Sequence, residues 1–224
     1  MSIMFSRFTR SGVILLRRSF TVQNGASSSS LRKDILEASI KNVPALGWTQ
    51  DSIAKAVMEL GLPAHTHRVL SRGPVEMVEY FIEQKRDYAK ERVAELRTQY
   101  HETEASTKSE DPDISNMNDD HDHYDSHREV SADEVLHTAI EAHIDYMAPY
   151  VHTWPSALAL FADPSQASAA MSTGLQIADD IVTFGGVEAS RGDWYTERLL
   201  AIMLYSSTEM YMLTDTSPDF VDTR

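Results

Sequence analysis

Cysteine is absent from the 224 residues. That excludes disulfides, thiolate nucleophiles and thiolate metal sites. No stretch reaches the ~18–20 apolar residues that a membrane-spanning helix needs. No segment alternates with period two, so no strand is expected. Glycine does not gather into a phosphate-cradling loop, and neither a nucleophile elbow nor an HExxH motif is present. Positive charge is also scarce. The net charge is −14, and the first 30 residues hold Arg7, Arg10, Arg17 and Arg18 with no acid, which leaves −18 on the remainder. A body this acidic repels nucleic acid and anionic lipid surfaces unless a local basic patch intervenes.

Residues 1–30 are rich in arginine and serine, with one short apolar run from Val13 to Leu16. That is the composition of a mitochondrial transit peptide. A secretory signal would need a longer apolar stretch, and here Arg17 and Arg18 follow the run directly. The mature chain is expected to begin between Ser19 and Ser30. Residues 101–130 carry ten acids against Lys108 and Arg128 and few apolar residues. They read as a solvated acidic loop.

The rest is helical in pattern. Residues 31–43 put Leu31, Ile35, Ala38/Ser39 and Val43 on one face, and Gly47-Trp48 ends that helix. Thr49 is a natural N-cap for the next, with Ile53, Ala56/Val57 and Leu60 inward. Gly61-Leu62-Pro63 makes a turn before a short helix over 64–70, so residues 31–72 form a helix-turn-helix-like module. Gly73-Pro74 opens a long connecting helix to about Tyr100, with Val78, Phe81/Ile82, Ala89, Val93 and Leu96 in period. Ser131-x-x-Glu134 suggests a capping box for the next helix, striped by Leu136, Ile140, His143/Ile144, Met147 and Val151. Pro149 interrupts it and Trp154-Pro155 starts another. A helix over about 165–184 stops at Gly185-Gly186, and Asp193 caps the last, over 194–213. In that last helix, Leu199 to Tyr205 has no polar group except the tyrosine hydroxyl. A helix apolar on nearly every side is expected to be buried, in a core or around an apolar ligand.

Several constellations invite chemistry and are weighed down by context. His121, His123, Asp125 and His127 have metal-ligand chemistry but sit in the acidic loop, without a scaffold to fix their geometry. Asp179 and Asp180 point about 100° apart on a helix, so the pair cannot converge on one ion. Residues 64–72 offer only Arg68 and Arg72 for reading DNA. No catalytic, metal or cofactor site is assigned. The methionines and aromatics of the second half fit an ordinary helical core; equally, methionine suits a cavity for variable apolar ligands.

The segments HIDYMAPYVHTWPSALALFADP (143–164), IADD (177–180), DWYTERLLA (193–201) and TDTSPDFVDT (214–223) resemble the mitochondrial ubiquinone (coenzyme Q) biosynthesis protein COQ nine family. The resemblance runs from Leu31 to Arg224 and is weakest across 101–130. It implies an all-α, TetR-like fold with a helix-turn-helix module and a C-terminal ligand-binding bundle. It implies a non-enzymatic lipid-binding accessory protein on the matrix side of the inner mitochondrial membrane, as a homodimer. The ligands implied are isoprenoid quinone intermediates and phospholipid. The partner implied is the di-iron demethoxyubiquinone hydroxylase within the coenzyme Q biosynthetic complex, with no nucleic acid bound. The lipid pocket over residues 131–224 is expected to draw on Met147, Tyr150, Val151, Trp154, Leu158 and Phe161. Met171, Leu175, Leu199, Met203 and Met210 would complete it. The hydroxylase is expected to dock on Asp179, Asp180, Val182 and Phe184; Val182 stands where the resemblance implies an aromatic anchor, and Phe184 is close enough to substitute for it. The family also has a C-terminal amphipathic helix on the membrane after its SPDF-x-DT motif; the sequence given ends at Arg224 and does not carry it. The alternatives are a TetR-like ligand-responsive DNA-binding regulator and a fully packed scaffold with no pocket.

Overall fold

The computed structural model describes residues 26–108, 130–184 and 194–223, and among them it contains helices and no strand. Helix α1 spans Ala26–Leu46, α2 Gln50–Glu59, α3 Pro74–Lys108, α4 Ala132–Met147, α5 Trp154–Phe161, α6 Ala167–Phe184 and α7 Trp194–Met212. The protein is all-α, as its periodicity implies. The start of α1 at Ala26 lies inside the stretch read as a leader. Helix α3 runs on to Lys108, so the first part of the stretch 101–130 read as an acidic loop is helical; residues 109–129, with His121, His123 and His127, lie outside the described residues, as do Gly185-Gly186 and Asp193.

Helix α3 is the spine, packing against α1, α4, α5 and α6. It starts where Gly73 takes a positive φ of 58°, and a β-carbon there would meet Gln50 Oε1 at 3.0 Å. Pro74 follows at a position where a missing N–H costs nothing. Glu76, almost fully buried, reaches back to accept from the Arg72 backbone N–H at 2.7 Å and pairs with Arg32 at 2.6 Å. The carboxylate thus satisfies an orphan donor at the helix start.

The core is aromatic at its centre. Trp48, at the end of α1, packs edge-on against Phe81 of α3 at 5.2 Å and against Trp154 of α5 at 5.6 Å. Tyr150 lies 4.9 Å from Phe81. Ile35, Val43, Ile53 and Val57 from α1 and α2 close the same core. A second, smaller cluster joins Val93 of α3 to Val135 and Ala139 of α4, with Phe184 packed against it.

Local expectations fare unevenly. Ser131 caps α4 by accepting from Glu134 N at 3.2 Å, but the Glu134 carboxylate accepts from Tyr100 at 2.6 Å, tying α4 to α3. Thr49 sits at the start of α2 without capping it, because its hydroxyl donates back to Leu46 O at 3.0 Å. Leu60, expected inward, is exposed, since α2 ends one residue earlier and the chain turns at Gly61. The expected helix over 64–70 is a 3₁₀ helix, Ala64–Val69, with no buried residue. The position of a DNA-reading helix therefore holds a six-residue 3₁₀ helix, about two turns long.

Helices α6 and α7 pack antiparallel. Ile202 of α7 lies against Gly174 of α6, and Arg198 of α7 bonds Asp179 of α6. A β-carbon at Gly174 would lie 3.6 Å from Ile202 Cδ1, which is ordinary contact. Replacing Gly174 by alanine should stabilise the protein by about 0.4–1 kcal/mol through reduced chain entropy. Urea denaturation checks this, with a higher midpoint expected for Gly174→Ala.

Candidate functional site

Of the two ways in which α7 was expected to be buried, the protein core does not supply it. Only Ala201, Tyr205 and Met212 of this helix are buried. Leu199, Leu200 and Met203 are each about 60% exposed, and Leu204, Met210 and Tyr211 are exposed as well. The physical reason is packing mainly on one side: α6 and α4 cover one stripe of α7, and the remaining apolar surface stays largely exposed.

What fixes that stripe is polar. Lys85, on the inner face of α3, is 1% exposed. Its ammonium donates to the Tyr205 hydroxyl and to Glu209 Oε1 at 3.1 Å, and Tyr205 in turn donates to Glu209 at 3.0 Å. The ammonium also lies 5.1 Å from the ring centres of both Trp154 and Tyr205. Burial and the neighbouring Glu209 carboxylate raise the Tyr205 phenol well above its ordinary pKa. His143 of α4 packs edge-on to Tyr205 at 5.3 Å, and neither of its ring nitrogens has a hydrogen-bond partner. Burial, then the charges of Lys85 and Arg86, push its pKa down to about 3, so the ring is neutral near pH 7. A small cavity is lined by Lys85, Ile140, His143, Met147, Tyr205 and Glu209, among others.

The residues assigned to a lipid pocket separate into two sets. Met147, Val151 and Trp154 are buried in the aromatic core, with Tyr150, Leu158 and Phe161 half-buried around it. Met171, Leu175, Leu199, Met203 and Met210 are exposed on α6 and α7. Met171 and Leu175 bracket Gly174, which faces Ile202, so they flank the seam between the two helices. Leu199 and Met203 bracket Ile202 in the same way. The exposed set therefore forms one outward apolar surface across the seam, and the two sets do not meet around a single cavity.

The docking residues also separate. Asp179 is exposed and accepts from Arg198 Nε at 3.0 Å. Asp180 turns inward and pairs with Arg86 at 2.5 Å and Lys90 at 3.5 Å, tying α6 to α3. Val182 is buried, and Phe184 packs into the smaller cluster, so neither presents the surface anchor expected of it. The side chains needed there hold the helix to the core instead. The exposed aromatics near Asp179 are Trp194 and Tyr195, 4.6 Å apart, with the Arg198 guanidinium 4.1 Å over Trp194.

Sequence reasoning missed two features. Lys85 falls in the α3 period between Phe81/Ile82 and Ala89, where an apolar residue is called for, and that misfit was a readable signal. Trp194 and Tyr195 were read as part of a motif without a surface role.

With α7 carrying so much uncovered apolar surface, a buried ion pair across α3 and α7 should dominate its placement. Removing one partner of such a pair costs about 3–5 kcal/mol. Glu209→Gln should lose stability on that scale. The double variant Lys85→Met/Glu209→Leu should recover most of it and yet bind a hydrophobic dye more strongly, as α7 loses its fixed rotation. Urea titration and dye fluorescence on both variants check this.

Residues 167–224 match the COQ9 family model. The human ubiquinone biosynthesis protein COQ9, mitochondrial, is 27% identical over 197 residues, covering 88% of this chain and 55% of its own length. The protein of the same name from Xenopus tropicalis has the same identity and coverage. The Drosophila melanogaster protein is 27% identical over 209 residues, covering 88% of this chain and 53% of its own. The chain spans about half the length of the curated relatives it matches. The resemblance carried by the sequence motifs is thus a COQ9 resemblance, extending over most of the chain.

Proposed function

We propose that this chain acts in ubiquinone biosynthesis as a lipid-binding accessory protein rather than as an enzyme. It would hold isoprenoid lipids, quinone intermediates and phospholipid among them, and offer them to a di-iron hydroxylase. The observation that carries this reading is the exposed apolar surface across α6 and α7. Soluble proteins seldom leave contiguous apolar surface uncovered, and where they do it commonly marks a lipid or protein contact. Covering it recovers about 25 cal/mol per Å². A prenyl tail is flexible, uncharged and long enough to follow the seam. The methionines on this face, Met171, Met203 and Met210, adapt their shape to such a guest.

The likeness to relatives named as mitochondrial ubiquinone biosynthesis proteins supports the pathway, and the Arg- and Ser-rich leader supports the mitochondrion, on the matrix side of the inner membrane. No helix among the described residues is long and apolar enough to cross a membrane, and the same α6–α7 face would serve for contact with the bilayer surface. Homodimerisation belongs to this reading as well. The hydroxylase would dock at the Asp179, Arg198, Trp194 and Tyr195 edge. Buried aromatic and arginine anchors supply most binding energy in protein interfaces, and this edge has both beside an exposed carboxylate. The regulator alternative is opposed by the 3₁₀ helix at Ala64–Val69 and by the acidic body.

Lipid extraction and mass spectrometry of the purified protein test the reading. Prenyl lipid or phospholipid is expected from the wild type. Met203→Glu changes an exposed position, so it should fold normally and lose most of that lipid. Trp194→Ala should keep the lipid and weaken capture of the hydroxylase by about tenfold. A lipid-free wild type, or Met203→Glu with unchanged lipid, contradicts the proposal.

A further inference from the structure

The cluster beneath α7 is more elaborate than a structural ion pair requires. Lys85 and Glu209 already neutralise one another. An ammonium has three donors, and two of the Lys85 protons are taken, by Tyr205 and by Glu209. His143 is 3% exposed, and both of its ring nitrogens lack a partner. The Trp154 indole N–H, on the ring beneath Lys85, lacks one too. Buried polar atoms are nearly always satisfied, so an unpaired neutral imidazole signals something that belongs beside it. The cavity it lines has about 10 Å³ of room, enough for a single water-sized oxygen. Its rim includes Ile140, Thr208 and Glu209, which are not fully buried.

We propose that Lys85, His143 and Tyr205 form a recognition site for one uncharged ring oxygen, a quinone carbonyl or phenol hydroxyl, on the head group of a prenylated lipid. This rests on the lipid-binding reading above and adds to it the residues that would receive the head-group oxygen. The cavity takes only the oxygen. The ring stays at the rim between Ile140 and Thr208, and the oxygen replaces a water while keeping its hydrogen bonds. Lys85 supplies the free donor. Neutral His143 serves a carbonyl with its N–H or a phenol with its bare nitrogen. The chemistry discriminates by charge. The cluster is already neutral in sum, so a buried phosphate or carboxylate would leave uncompensated charge, which is costly in a low-dielectric site. An uncharged oxygen upsets nothing. From the rim, Leu204 and Tyr211 lie four residues before and three after Thr208 on α7, and both are exposed and apolar in body. They give a tail a path from the ring to the outer face.

The test uses the wild type labelled with nitrogen-15 in histidine, with His143→Gln identifying the His143 resonances. Two probes are titrated separately: a dimethoxy-methyl-benzoquinone bearing no tail, and farnesol, which has a tail and no ring. The expected result is a shift of the His143 ring nitrogens with the benzoquinone. Lys85→Met should weaken benzoquinone binding by about tenfold, the scale of one hydrogen bond to a charged group. Because the wild type is read directly, an unfolded variant does not blunt the test. If farnesol binds and the benzoquinone leaves His143 unmoved, the head-group site is overturned while the lipid-binding reading stands. If neither probe binds, both fall together.

Discussion

A lysine buried in the middle of α3 constrains the rest of the C-terminal half. Lys85 cannot lie among Trp154, Met147 and Ile144 as an isolated charge. It needs a carboxylate, and Glu209 of α7 provides it. Helix α7 is apolar almost all the way round, so hydrophobic burial by itself does not choose which face turns inward. The Lys85 bonds to Tyr205 and Glu209 make that choice. Ala201, Tyr205 and Met212 then face the core, and Leu199, Met203 and Met210 must face out. Buried ion pairs add little net stability, and their better-attested use is to fix one register among several. Here the register they fix leaves apolar surface exposed.

The second consequence concerns α6. Arg86 and Lys90 of α3 hold Asp180, while Arg198 of α7 holds Asp179. Two adjacent carboxylates thus tie α6 to two different helices, because neighbouring helical residues point in different directions. With both partners set, Gly174 meets Ile202, the seam closes tightly, and the exposed residues of the two helices merge into one surface. The aromatic edge at Trp194 and Tyr195 lies where the Arg198 bridge ends that surface.

Much of the fold was legible in the sequence. Apolar period, proline and glycine punctuation located α2 and α4 to α7 to within a few residues, since each helix buries a stripe that recurs every three or four positions, whereas α1 starts at Ala26 instead of near Leu31 and α3 runs on to Lys108 instead of ending near Tyr100. The capping hydroxyl of Ser131 was readable; the diversion of the Glu134 carboxylate to Tyr100 was not, since it depends on where α3 passes. The site was less legible. Hydrophobicity marked Leu199 to Tyr205 as needing cover, but it carried no information on which side would receive it. Val182 and Phe184 were assigned to the surface from a motif, whereas Val182 packs into the main core and Phe184 against Val93, Val135 and Ala139. Lys85 and His143 were visible as polar residues in apolar stripes. Only the assembled helices show that they meet beneath Tyr205.

The central claim is that a polar anchor turns the apolar face of α7 outward to receive lipid. Nitroxide labels placed singly at Met203 and at Thr183, both exposed, test this most directly, with vesicles containing a prenyl quinone added to each. The account predicts that the label at 203 loses mobility and becomes accessible to dissolved oxygen as it enters hydrocarbon, while the label at 183 stays in water. Equal and unchanged spectra at the two positions, or immersion of 183 rather than 203, would contradict it.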